Sequence, residues 1–104
     1  MQYLERILYQ FQEQSNETLD RITERLNARD GKGAANLASA LRGAAEYMGA
    51  DDLREHAAHI EELATASLLN ESLKAMGALR EEVFRCIDYI PELLHQAATS
   101  KEMA

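Results

Sequence analysis

The chain has 104 residues, 46% hydrophobic and 28% charged, with one proline and one cysteine. That is the size of a single domain, and a Leu- and Ala-rich mixture of this kind is neither disordered nor fibrous. Eighteen acidic residues against eleven basic ones give a formal net charge of −7, and no Lys/Arg cluster stands out. Nucleic acid and anionic membrane surfaces need concentrated positive charge, so both are disfavoured as partners. With no Trp, two Phe and four Tyr, an aromatic-walled ligand pocket is not expected.

The lone Cys86 has no internal disulfide partner. The opening stretch MQYLERILYQ lacks a continuous apolar leader, and no run approaches the ~18 apolar residues of a membrane span. The expectation is therefore a cytoplasmic protein.

The first segment carries Leu4, Ile7, Leu8 and Phe11 at helical spacing. Ser15 or Asn16 is placed to cap a second stretch, which continues through Leu19, Ile22 and Leu26. The two read either as one bent helix or as a short helix ahead of a long one. Asp30-Gly31-Lys32-Gly33 is the clearest break. Ala34 to Met48 reads as the next helix, with Leu37, Leu41, Ala44 and Met48 as its core face. Gly49 stands where a helix end prefers glycine.

Asp51 and Asp52 open the following helix with negative charge at its N-terminus, where the macrodipole favours it. Leu53, Ala57, Ile60 and Ala64 form its stripe. A break is expected around Ser67 to Asn70, with Asn70 as N-cap. Leu73, Met76, Val83, Ile87 and Ile90 then continue until Pro91, which should kink or end the helix. The reading is an all-α chain: an antiparallel four-helix bundle over residues 1–98 with a short extra N-terminal helix, then a frayed tail over 99–104. No internal repeat, low-complexity tract or strand alternation is visible.

One stretch carries more information: Ser39-Ala40-Leu41-Arg42-Gly43, followed by Gly49-Ala50-Asp51-Asp52-Leu53. Positions 39, 42, 43 and 46 are spaced by three or four, which puts Ser39, Arg42, Gly43 and Glu46 on one helix face. A glycine inside a helix costs ~1 kcal/mol relative to alanine, so an exposed Gly43 asks for a reason, and close approach of a partner is one.

This pattern resembles the signature of the histidine-containing phosphotransfer (HPt) family. That signature reads His-x-Leu-Lys-Gly, then a glycine six residues on and a leucine four beyond it. Leu41, Gly43, Gly49 and Leu53 match; Arg42 replaces the lysine, which in the family helps hold the phosphoryl group. Asp30 sits where the family often has an aspartate at the head of this helix, and Glu61 matches a common acid in the next one. The likeness covers roughly residues 3 to 97. Its decisive departure is Ser39, at the position of the phosphorylated histidine.

The resemblance implies a two-component phosphorelay protein whose partner is a response-regulator receiver domain or a hybrid histidine kinase. Ser39, Arg42, Gly43 and Glu46 are then the docking residues. Phosphohistidine has a labile P–N bond, whereas phosphoserine is a stable ester whose return to a carboxylate is strongly uphill. A serine hydroxyl is also a weak nucleophile without an adjacent base. The implied function is thus a pseudo-HPt adaptor or antagonist: no enzyme, no cofactor, no metal.

Two alternatives stand beside it. One is a helical bundle that self-associates, for instance as a homodimer. The other is a working phosphotransfer domain whose histidine was replaced at position 39 or lies elsewhere, among His56, His59 and His95. His56 reads as a boundary residue and His59 as solvated. Their i, i+3 spacing, even with Glu55 and Glu62 nearby, is too little to fix a metal.

Overall fold

Apolar side chains at Leu8, Phe11, Leu19, Ile22 and Leu26 are all buried, and Ser15 fills the turn between them at 3% exposure. Nothing in this run breaks a helix, so a single helix α1 spans Gln2–Asn27. The short extra N-terminal helix expected from the sequence is therefore part of α1. Ser15 is a buried mid-helix residue instead of a cap, because a small side chain lets the stripe continue. The computed structural model describes the backbone of residues 2–103 and the side chains of 5, 6, 8–92 and 95. Leu4 and Ile7, assigned to the first stripe, lie outside the described side chains.

Helices α2 (Gly31–Met48), α3 (Asp51–Thr65) and α4 (Leu69–Met103) complete the fold. α1 packs on α2 and α4, and α3 packs on the same two, which closes an antiparallel bundle of about 50 × 20 × 19 Å. α4 has 35 residues. At ~1.5 Å of rise per residue it runs the whole length of the molecule.

The three connections are built alike. After α1, the Asp30 N–H donates to the Arg25 carbonyl (2.8 Å) and the Arg29 N–H to Leu26 (3.1 Å). After α2, Ala50 donates to Ala45 (2.9 Å) and Gly49 to Glu46 (3.2 Å); after α3, Leu68 donates to Leu63 (2.9 Å) and Ser67 to Ala64 (3.1 Å). Each is a Schellman ending, which satisfies the last carbonyls by turning one residue left-handed. That residue is Arg29 (φ 62°), Gly49 (φ 73°) and Ser67 (φ 62°) in turn.

Asp30 then caps α2, its Oδ1 accepting from the Gly33 N–H at 2.9 Å. The helix accordingly starts at Gly31, three residues ahead of the expected Ala34. α4 starts at Leu69, so Asn70 lies within its first turn and is not the cap; its Oδ1 accepts from Arg29 Nη1 (3.0 Å), tying the end of α1 to the start of α4.

The core face of α2 is Ala34, Ala35, Ala38, Leu41 and Ala45. Leu37, Ala44 and Met48 flank it, partly buried. The buried stripe is therefore rotated from the one expected. Alanines let the α2 backbone lie close between α1 and α3, and the larger side chains reach over the seams.

α4 buries Ser72, Met76, Leu79, Val83 and Ile90 and continues through Pro91. Pro91 is exposed and removes only the bond its N–H would donate to the Ile87 carbonyl, while buried Ile90 holds the chain to the bundle. The side chains of 96–104, which include the expected tail, lie outside the described residues.

Candidate functional site

Asp30 at its head and Gly49 at its end fix the register of α2. With Ala38, Leu41 and Ala45 buried, Ser39 and Arg42 turn toward α3, half-buried, and Gly43 and Glu46 face solvent. The four residues picked out by spacing thus share one outward arc. Gly43 is open: a Cβ built there would meet no atom within 4 Å.

The chemistry of the arc centres on Arg42. Its Nη2 donates to Ser39 Oγ at 3.4 Å, and its Nε lies 3.4 Å from Glu61 Oε1 on α3. Arg42 Nε is buried without a hydrogen-bond partner, so the contact with Glu61 is an ion pair by distance and not a directed bond. A pairing of Arg42 with Glu46, suggested by i, i+4 spacing, does not form; among the described residues Glu46 makes no ion pair. Glu61 is the site residue that helix spacing alone missed. It sits on a different helix, and only its match to the family pattern pointed to it.

Among the described residues Ser39 has a guanidinium against its hydroxyl and no base hydrogen-bonded to it. Among the described residues no hydrogen bond joins it to a histidine: His56 is half-buried and His59 exposed on α3, and His95 is far along α4. No group of three His, Cys, Asp or Glu side chains among the described residues is set to hold a metal ion, and none of the described helices is long and apolar enough to cross a membrane.

Two grooves flank the bundle. One, of about 430 Å³, lies between α1 and α2 beside the arc and is lined by Phe11, Gln14, Ala40, Gly43, Ala44 and Tyr47. The other, of about 440 Å³, lies where α2 passes to α3 and includes Leu8, Met48, Leu53, Cys86 and Tyr89. Burial, with Glu82 and Asp52 nearby, pushes the Cys86 thiol pKa above its ordinary value, which disfavours the reactive thiolate.

The bundle thus presents an open glycine and a cation on one helix face, and among the described residues no hydrogen-bonded nucleophile–base pair lies beside them. The chain belongs to the Hpt domain family, whose model matches residues 6–99. Members of that family are phosphotransfer modules of two-component phosphorelays and work with receiver domains and kinases. Comparison with curated proteins and with solved structures finds no significant match.

Proposed function

We propose that this chain is a pseudo-HPt module: it docks a response-regulator receiver domain, free or within a hybrid kinase, and carries no phosphoryl group itself. It acts as an adaptor or as an antagonist that occupies the receiver in place of a competent phosphotransfer partner. One observation carries the reading. The position matching the phosphoacceptor histidine holds Ser39, whose hydroxyl meets Arg42 Nη2 at 3.4 Å and no base, one turn from open Gly43.

The groove beside Gly43 supports the docking half, because it continues the open face across to α1. The absence of an activating base supports the other half, because serine becomes a useful nucleophile only when its proton has somewhere to go.

The test is calorimetric and NMR titration with candidate receiver domains. The parent should bind, with shifts centred on Ser39, Arg42, Gly43 and Glu46. Gly43→Trp should abolish or strongly weaken binding while leaving the helical spectrum intact, since a Cβ there meets no atom within 4 Å and the position borders an open groove. Equal binding by parent and Gly43→Trp would put the docking face elsewhere. Persistent dimerisation without receiver binding would favour the self-association reading.

A further inference from the structure

We infer that the groove between α1 and α2 takes one uncharged side chain of the receiver domain, with an apolar body and a hydrogen-bonding tip that reaches the Ser15 hydroxyl. This rests on the receiver-docking reading and names the chemistry of the residue that anchors the partner.

A buried hydroxyl with nothing to bond carries the inference. Ser15 is 3% exposed, and its Oγ makes no hydrogen bond within the protein. A serine or threonine inside a helix can satisfy itself by donating to the carbonyl four residues back. Thr23 does so on the same helix, its Oγ1 donating to the Leu19 carbonyl at 3.1 Å. Ser15 leaves that bond unmade, and an unsatisfied buried hydroxyl costs stability. Alanine would fill the same place in the α1 stripe without that cost.

The groove gives the hydroxyl a use, because Ser15 lines it. Phe11, Leu41 and Ala44 supply apolar wall; Gln14, Thr18 and Tyr47 supply polar but neutral groups. No charged residue lines it, in a chain where 28% of residues are charged. The groove at the α2–α3 turn differs, with Asp51, Asp52, Glu82 and Arg85 among its lining residues. A charged side chain entering between α1 and α2 would lose water and meet no counter-ion. A purely aliphatic one would touch the walls and leave Ser15 unsatisfied. A neutral tip with a donor or an acceptor meets both demands, since a hydroxyl both donates and accepts and turns about its Cα–Cβ bond. Gly43 lines the same groove, and its missing side chain leaves the α2 edge clear. The open glycine admits the tip and the hydroxyl receives it.

Ser72 provides the control. It is fully buried on α4, its Oγ has no partner either, and it lines neither groove. Alanine at either serine should raise the urea midpoint, since an unsatisfied hydroxyl is lost and a better helix former gained. Only Ser15→Ala should also weaken receiver binding, by about two- to tenfold, the range of one net hydrogen bond. Stability and affinity then move in opposite directions at Ser15, which a merely structural serine would not produce.

Calorimetric titration of a receiver domain that binds the parent reads the affinities, and urea unfolding reads the stabilities. Ser15→Ala binding as tightly as the parent, or Ser72→Ala weakening binding equally, would overturn the inference. So would a lower urea midpoint for Ser15→Ala, which would show the hydroxyl already bonded inside the bundle. If no receiver binds the parent, the docking reading falls, and the chemistry of the groove is decided by phenol, a neutral ring with a hydroxyl, against toluene, a ring without one. The amide resonances of Ser15, Gly43 and Tyr47 are followed by NMR. Phenol should move them severalfold more in the parent than in Ser15→Ala, and toluene equally in both. An equal phenol response would mean that the groove makes no use of the hydroxyl.

Discussion

Gly31 and Gly43 lie in the same helix, yet alanine at each should move stability in opposite directions. At Gly43 a Cβ meets no atom within 4 Å. The substitution there trades the poor helix propensity and high unfolded-state entropy of glycine for those of alanine, a stabilisation of about 0.5–1 kcal/mol. At Gly31 the added Cβ would sit 2.7 Å from the Ala64 carbonyl oxygen and 3.2 Å from Leu69 Cδ2. The first of these is backbone in the last turn of α3, part of the segment pinned by the Schellman bonds after it. It has no rotamer to escape into, so the start of α2 must be pushed away. Overpacking of this kind costs about 1–3 kcal/mol and outweighs the small propensity gain at a first helical position. Urea and thermal unfolding followed by far-UV circular dichroism read both signs. In a domain of this size each kcal/mol moves the Tm by roughly 4–8 °C. A loss of stability in Gly43→Ala would mean that this face is not open. A gain in Gly31→Ala would mean that α2 does not approach the end of α3 as closely as described.

The remaining predictions concern the core, a helix end and the serine. Leu41→Ala should cost about 2–5 kcal/mol, because Leu41 is 4% exposed in the centre of the α2 core face. Ser39→Ala should stay within ~0.5 kcal/mol in the same melts, because its one side-chain bond is a long contact from Arg42. Ser67→Gly should stabilise by about 0.5–1 kcal/mol, since Ser67 holds φ 62° in the ending of α3, where a left-handed conformation burdens any residue with a Cβ. An unchanged urea midpoint for Ser67→Gly would show that the serine adopts this conformation without cost.

The four helices were legible in the sequence because their stripes are long and periodic, and one of the three ends was legible because it carries a glycine. Gly49 announces its left-handed turn; Arg29 and Ser67 make the same turn with residues that give no such signal. Gly31 and Gly33 look like a loop in the sequence, whereas the structure uses them for close packing and for the Asp30 cap, so α2 starts earlier than its apolar pattern suggests. A Cβ on Gly33 would collide with the Asp30 carboxylate. The core face of α2 differs from the one its hydrophobic pattern suggests, because hydrophobicity favours Leu37 and Met48 over alanine, while close packing of three helices favours alanine. Four candidate site residues follow from spacing within one helix and do share an arc. Arg42–Glu61 does not follow, since no periodicity within α2 reports what α3 sets opposite it.

What remains is the chemistry of position 39. A phosphorelay needs an acceptor that is nucleophilic near neutral pH and that releases its phosphoryl group as readily as it takes it. An imidazole does both, with an unperturbed pKa of about 6.5. The Ser39 hydroxyl does neither: Arg42, its hydrogen-bond partner, is a permanent cation that accepts no proton. Incubated with a radiolabelled phosphorylated receiver, the parent should therefore take up no label. Ser39→His puts an imidazole on the same half-buried position of α2, beside Arg42 and one turn from open Gly43, and should acquire a label that acid removes. Gels before and after acid treatment read both proteins. An acid-labile label on the parent would overturn the reading of Ser39. Mapping that label to His56, His59 or His95 would identify the acceptor and make the chain a working phosphotransfer domain.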